Sequence, residues 1–191
     1  MSKIVVYDFD GTLSYVDSME EIFISEMKGF KNIYKLYYYF LKVLSKLKIS
    51  TVKKEKERMI KLLFHSDEKR FKLACEKLSE GYVFSPIMQL LKKDVEDGNR
   101  VIVLSASSVY FLEKVFKDMD VEIFGTTFQV QNDKIQSINQ HPFYHEKVST
   151  LVEHGFVVVD DAYFDSRWDD CLKPMCIHWH RVKNGIIVEE N

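Results

Sequence analysis

The chain of 191 residues is short of cysteine, proline, glycine and net charge. Its three cysteines, Cys75, Cys171 and Cys176, form no C-x-x-C pair. That speaks against a disulfide framework or a zinc knuckle and for a reducing compartment. Three prolines and seven glycines exclude collagenous and Pro/Gly-rich disordered chains. Met1-Ser2-Lys3 runs directly into Ile4-Val5-Val6-Tyr7, leaving no room for the apolar core of a signal peptide. The most apolar helical stretch, Leu36 to Leu47, is broken by Lys42 and Lys46 and falls short of the roughly 20 apolar residues of a membrane span. The expectation is a soluble, cytoplasmic protein. The net charge of −2 comes from 27 basic and 29 acidic side chains and on its face excludes a strongly basic nucleic-acid binder.

What is present has an α/β rhythm. Ile4–Tyr7, Val101–Leu104, Phe156–Val159 and Met175–His180 are short apolar runs rich in β-branched or aromatic residues, and they read as buried strands. Pro86–Val95, Ser107–Lys117 and His145–Glu153 carry apolar residues at helical spacing. Strands alternating with helices predict a parallel sheet. Two regions break the rhythm. From about Tyr15 to Phe84 only helices are predicted, and Phe128–Gln131 and Lys134–Gln136 flank Asn132-Asp133 as a small hairpin.

The first strand ends in Asp8-Phe9-Asp10-Gly11-Thr12. Two carboxylates this close do not both ionise cheaply without a cation, and a hard divalent ion such as Mg²⁺ suits carboxylate oxygens. The plain alternative is an Asp-Gly turn closing a strand. An EF-hand is rejected because Gly11 follows Asp10 directly.

Four elements in order then carry a family resemblance. Asp8 to Thr12 resembles the first motif of the haloacid dehalogenase-like hydrolases. Val101 to Ser107, a strand ending in Ser105-Ala106-Ser107, resembles the second. Lys147, at the start of a helix before the fourth strand, stands where the third motif places its lysine. Val157 to Asp165, with Asp160-Asp161, resembles the acidic fourth motif, although Asp160 takes a usual glycine's place and Ala162 a frequent serine's. The helical insertion after the first motif, Tyr110 after Ser107, and Phe124-Gly125-Thr126 before Phe128 resemble the phosphoserine-phosphatase-like branch.

The resemblance implies a Rossmann-like three-layer α/β core with a parallel sheet of order 5-4-1-2-3, built from residues 1–14 and 86–191, and a helical cap over 15–85. It implies an Mg²⁺-dependent phosphatase. Asp8 would be the nucleophile and Asp10 the acid and base. Lys147 would offset charge. Asp8, Asp10 through its carbonyl, and Asp161 would hold Mg²⁺, with Asp160 able to share the role and Asp165 supporting Lys147 or a metal-bound water. Thr12, Asp17, Ser105 and Ala106 would contact phosphate or substrate, the helix after Ser105 adding its dipole. Each has a plainer reading: Ser105 a helix cap, Lys147 a solvated charge, Asp160-Asp161 a turn. Asp17 reads first as the N-cap of a helix over Ser18-Met19-Glu20-Glu21. Asp169 and Asp170 read as solvated, and His178 and His180 as strand histidines rather than a metal pair.

The charge is unevenly spread. Residues 28–61 hold eleven basic side chains, including Lys28, Lys31, Lys35, Lys42, Lys46 and Lys56, against Glu55 and Glu57, a local balance of +9 against −11 elsewhere. Over 31–49 the lysines line one helical face, and Ile33, Leu36, Phe40, Leu44 and Leu47 lie opposite. The plain reading is a solvated face of the cap. The sharper one is an anionic lipid or membrane-surface contact. A small phosphorylated substrate is the expected partner, with no specific nucleic acid. The alternatives are phosphoryl transfer to an acceptor other than water, and a binding protein that works through the basic cap.

Overall fold

The computed structural model describes residues 2–27 and 32–191. Lys28 and Lys31 of the basic face lie outside the described residues, and the element bounds follow the chain. Strand β1 (Ile4–Tyr7) is followed by helices α1 (Ser18–Glu26), α2 (Asn32–Lys46), α3 (Val52–Phe64), α4 (Glu68–Ser79) and α5 (Ile87–Glu96). Then come β2 (Arg100–Ser108), α6 (Val109–Val115), β3 (Glu122–Thr126), β4 (Phe128–Gln131), β5 (Lys134–Ile138) and α7 (His145–Glu153). The chain ends with β6 (Val159–Phe164), a 3₁₀ segment Arg167–Met175, β7 (Cys176–Lys183) and β8 (Ile186–Glu190).

The main sheet has the order β3-β2-β1-β6-β7-β8. Its first five strands are parallel and give the expected 5-4-1-2-3. Strand β8 adds an antiparallel edge that the reading of the sequence did not contain. A signal for it exists: Asn184-Gly185, both at positive φ, joins two apolar runs as a tight hairpin turn. Successive side chains of a strand face opposite sides, and here that alternation builds two cores. Val5, Tyr7, Val101 and Val103 face α5, α6 and the inserted helices. Val6, Ile102 and Leu104 face Leu151 of α7 and Leu172.

Helices α1, α3 and α4 begin with a side-chain cap. Asp17 accepts from the Glu20 N–H, Thr51 from Lys54 and Asp67 from Arg70. The β4–β5 hairpin turns through Asn132 and Asp133, both at positive φ, and ties onto these helices. Ile135 N–H donates to the Ser66 carbonyl at 2.8 Å, Glu68 N–H to the Asp133 carbonyl at 3.1 Å, and Ile138 N–H to Glu57 Oε1 at 2.8 Å.

One strand sits elsewhere than its apolar run. The run at 156–159 reads as the fourth strand, but Val157 and Val158 are exposed and the strand spans Val159–Phe164. Pairing decides this, because Val5 aligns with Asp161 and Tyr7 with Tyr163. The helix expected from Ser107 starts at Val109, since β2 continues through Ser108.

Candidate functional site

Strand β1 delivers Asp8 to the carboxyl edge of the sheet, where its N–H donates to the Tyr163 carbonyl at 2.9 Å. Such edges are where open α/β sheets place reactive groups. Lys147, in the first turn of α7, is buried and reaches Asp8 Oδ1 at 2.7 Å and Asp169 Oδ1 at 2.7 Å. Burial alone would lower the Lys147 pKa, but Asp8 and Asp169 outweigh it and hold the ammonium above its ordinary range. Burial pushes the Asp8 carboxyl up against the pull of Lys147, and Asp169 and Asp165 add to the push. Asp165 is raised in the same way, by burial and then by Asp169.

Asp8, Asp165 and Asp169 each place one oxygen within 4.8 Å of the other two. Three carboxylates answered by one lysine leave an excess of negative charge in a desolvated place, and their hard oxygens suit a divalent cation. The chain fixes the group from its backbone. Gly11 turns at φ +81°, and a Cβ there would fall on the Asp165 carboxylate. Ser166 caps the 3₁₀ segment that carries Asp169, its hydroxyl accepting from the Trp168 N–H at 3.2 Å.

Here the structure corrects the reading of the fourth motif. Asp161 does not join Asp8. It lies earlier on β6, held by Lys3 Nζ at 2.9 Å and His180 Nε2 at 3.0 Å. Those two partners outweigh burial and depress its carboxyl. Asp160 Oδ2 accepts from the Ile4 N–H at 2.7 Å and is likewise spent on strand pairing. The strand carries the chain four residues further, so the acids beside Asp8 are Asp165 and Asp169. Asp169, read as solvated, is buried. His180 is engaged by Asp161 and Glu190, and His178 faces the Asn191 carbonyl, so neither stands with the other as a metal pair.

Asp10, half-buried, stands beside these groups. Its Oδ1 accepts from the Ser18 N–H at 2.8 Å and its Oδ2 from the Ser107 hydroxyl. Burial, with Asp17 adding, pushes its carboxyl up to about 6. A cavity of about 200 Å³ joins Asp8, Asp10, Asp165, Asp169 and Lys147 to Ser105 and Ala106 of β2. Asp17 both caps α1 and lines this cavity. Phe143 and Trp168 supply apolar wall. Thr12 is buried, and its hydroxyl meets no partner among the described residues. A larger groove of about 690 Å³ also touches Asp165, but it contains none of Asp8, Asp10, Ser105 or Lys147, which all line the smaller cavity.

Lys56 of α3 was not singled out beyond the basic run. It is buried, lines the cavity and donates to the Ala106 carbonyl at 2.8 Å. Burial pulls its pKa below the ordinary lysine value, with Asp17 and Asp10 opposing. No local pattern separates it from its neighbours Lys53 and Lys54. The same Ala106 carbonyl accepts from the Thr126 hydroxyl at 2.7 Å, whose oxygen pairs with His141 Nδ1 at 2.8 Å.

A model of the haloacid dehalogenase-like hydrolases matches residues 5–167. A search of curated proteins by sequence finds none that matches. Among solved structures, a protein of unknown function from Bordetella pertussis Tohama I superposes with a TM-score of 0.75 at 16% identity, covering 90% of this chain and 86% of that one. A phosphoserine phosphohydrolase-like protein from Francisella tularensis subsp. tularensis SCHU S4 gives 0.68 at 15%, covering 94% and 86%. A phosphoserine phosphatase in a phospho-aspartyl intermediate analogue form gives 0.65 at 15%, with the same coverage. At these identities the likeness is one of fold.

Proposed function

The chain belongs to the haloacid dehalogenase-like hydrolases, and from that membership we propose that it hydrolyses a small phosphomonoester through an aspartyl-phosphate on Asp8. The observation that carries the proposal is the buried Asp8 at the end of β1, paired to Lys147 at 2.7 Å in a cavity that also holds Asp10. In this reading residues 1–14 and 86–191 act as the catalytic core, and 15–85 as a cap that supplies Asp17 and Lys56.

Asp8 Oδ1 is occupied by Lys147, so Oδ2 attacks phosphorus. The P–Oδ2 bond forms as the ester P–O bond breaks, and Asp10 gives its proton to the leaving oxygen. Water then attacks phosphorus and gives its proton to Asp10, the P–Oδ2 bond breaks to restore the Asp8 carboxylate, and inorganic phosphate leaves. Lys147 holds Asp8 in position and offsets charge gathering on the phosphoryl group. Ser105 and the backbone around Ala106 orient the phosphoryl oxygens. Asp8, Asp165 and Asp169 would hold Mg²⁺, which when bound would neutralise phosphoryl charge. The cavity, about 200 Å³, is below the roughly 300–1,000 Å³ of drug-sized pockets. It therefore favours a compact group next to the phosphate, met by Lys56 and the Phe143 and Trp168 rings.

The test is phosphate release from a panel of phosphomonoesters with and without Mg²⁺, alongside Asp8→Asn. Metal-dependent turnover in the wild type and none in a folded Asp8→Asn is the expected outcome. Undiminished turnover in that variant overturns the mechanism. Added alcohols accepting the phosphoryl group would move the activity to transferase.

A further inference from the structure

The most extended exposed apolar surface among the described helices lies on α2. Ile33, Leu36, Phe40, Val43 and Leu47 recur every three or four residues and so form one stripe. Each is more than half exposed, from 51% for Val43 to 71% for Ile33 and Leu36. The helix meets the rest of the protein through another face, with Tyr38 and Leu41 buried. Tyr34 and Leu44 pack against the same core cluster. Lysines take a third face: at about 100° per residue, Lys35, Lys42 and Lys46 fall within about 40° of one another, beside the stripe. Tyr39, 55% exposed, lies between the two.

Residues 32–50 contain no Asp or Glu. Glu20 answers Lys42 at 2.5 Å. Lys35, Lys46 and Lys48 have no carboxylate partner among the described residues. A helix with one apolar stripe, one lysine row and tyrosine at their border has the build of a helix lying in a lipid interface.

We infer that this face of α2 docks on an anionic membrane surface. The stripe enters the boundary between headgroups and acyl chains, and the unanswered lysines meet lipid phosphate. Charge decides against a second copy as the occupant. Face-to-face pairing of two α2 helices offers those lysines no acidic partner from α2 itself. The end of the stripe also lies near the cavity: Leu47 precedes the cavity-lining Val52 by five residues, a Cα separation of at most about 18 Å. This inference goes beyond the hydrolase reading and does not depend on it.

The experiment is sedimentation of the full chain with vesicles of phosphatidylcholine alone and of phosphatidylcholine with phosphatidylglycerol, at low and high salt. Binding to the anionic vesicles that weakens with salt is expected. Lys35→Gln should lower partitioning about fivefold, the effect of one lysine near a charged bilayer. Leu36→Asp combined with Phe40→Asp should abolish binding, while circular dichroism and turnover of a soluble phosphomonoester stay at the wild-type level. No binding to anionic vesicles at low salt overturns the inference. So does a dimer in solution that Phe40→Asp dissolves, because the occupant is then a second copy.

Discussion

Replacing Asp169 by Asn separates the acids that the sequence pattern favoured from those that the fold assembles. In the wild type Asp8, Asp165 and Asp169 share one ammonium, Lys147. The substitution removes two carboxylate repulsions across at most 4.8 Å, each about 3.5 kcal/mol or more at an effective dielectric of about 20. It also removes the charge attraction to Lys147 across 2.7 Å, about 6 kcal/mol on the same footing. The amide oxygen can still accept from the lysine. The effects nearly cancel, so cation-free stability should stay within about 2 kcal/mol of wild type. The cation response should not survive. Mg²⁺ at about 100 times its Kd stabilises a binding protein by about 2.7 kcal/mol, and the variant should lose most of that gain. Turnover should fall at least about 10–100-fold, the scale for disturbing the groups around a bound metal. Asp161→Asn is the control. Of its two partners Lys3 is more than half exposed and His180 can still bond the amide oxygen, so a loss of about 1 kcal/mol and wild-type turnover are expected. Urea unfolding with and without Mg²⁺, together with phosphate release, reads both variants. A wild-type Mg²⁺ response in Asp169→Asn alongside a lost one in Asp161→Asn would refute the assignment.

Two further outcomes follow from the same geometry. Gly11→Ala should cost about 1–2 kcal/mol for its left-handed backbone and weaken the Mg²⁺ response by displacing Asp165; an unchanged denaturation midpoint and Mg²⁺ titration would contradict this. His141 is held neutral by burial, its pKa pulled down to about 2, against about 6.5 unfolded. The unfolded chain takes up the proton first, so the stability present above about pH 6.5 is lost as the pH falls toward 2. The loss reaches about 2 kcal/mol by pH 5. His141→Gln should flatten that slope in urea melts at pH 7 and 5, and an identical slope would show that His141 is not its source.

Much of the fold was legible because local pattern and tertiary pairing agree there. The first strand ends where its apolar run ends, and α7 occupies the predicted residues. The fourth strand was misplaced because Phe156-Val157-Val158-Val159 carries the apolar signal, while backbone pairing with β1 selects a segment containing two aspartates. Apolarity along the chain does not register that Asp160 can bond a neighbouring N–H, or that Asp161 can meet Lys3 and His180. The shift of four residues passed directly into the acidic site. Lys56 was hidden for the opposite reason: within a lysine-rich run, only its burial and its reach to the Ala106 carbonyl set it apart from Lys53 and Lys54.

The β4–β5 hairpin couples the sheet to the inserted helices. It is stitched to α3, to α4 and to the turn between them through Glu57, Ser66 and Glu68. On the cavity side Ser18 and Lys56 hold the same helices to Asp10 and to the Ala106 carbonyl. A movement that only widens the cavity breaks the second set, whereas lifting the whole helical layer must break both. Amide exchange should therefore be slower at Ile135 and Glu68 than at Ser18.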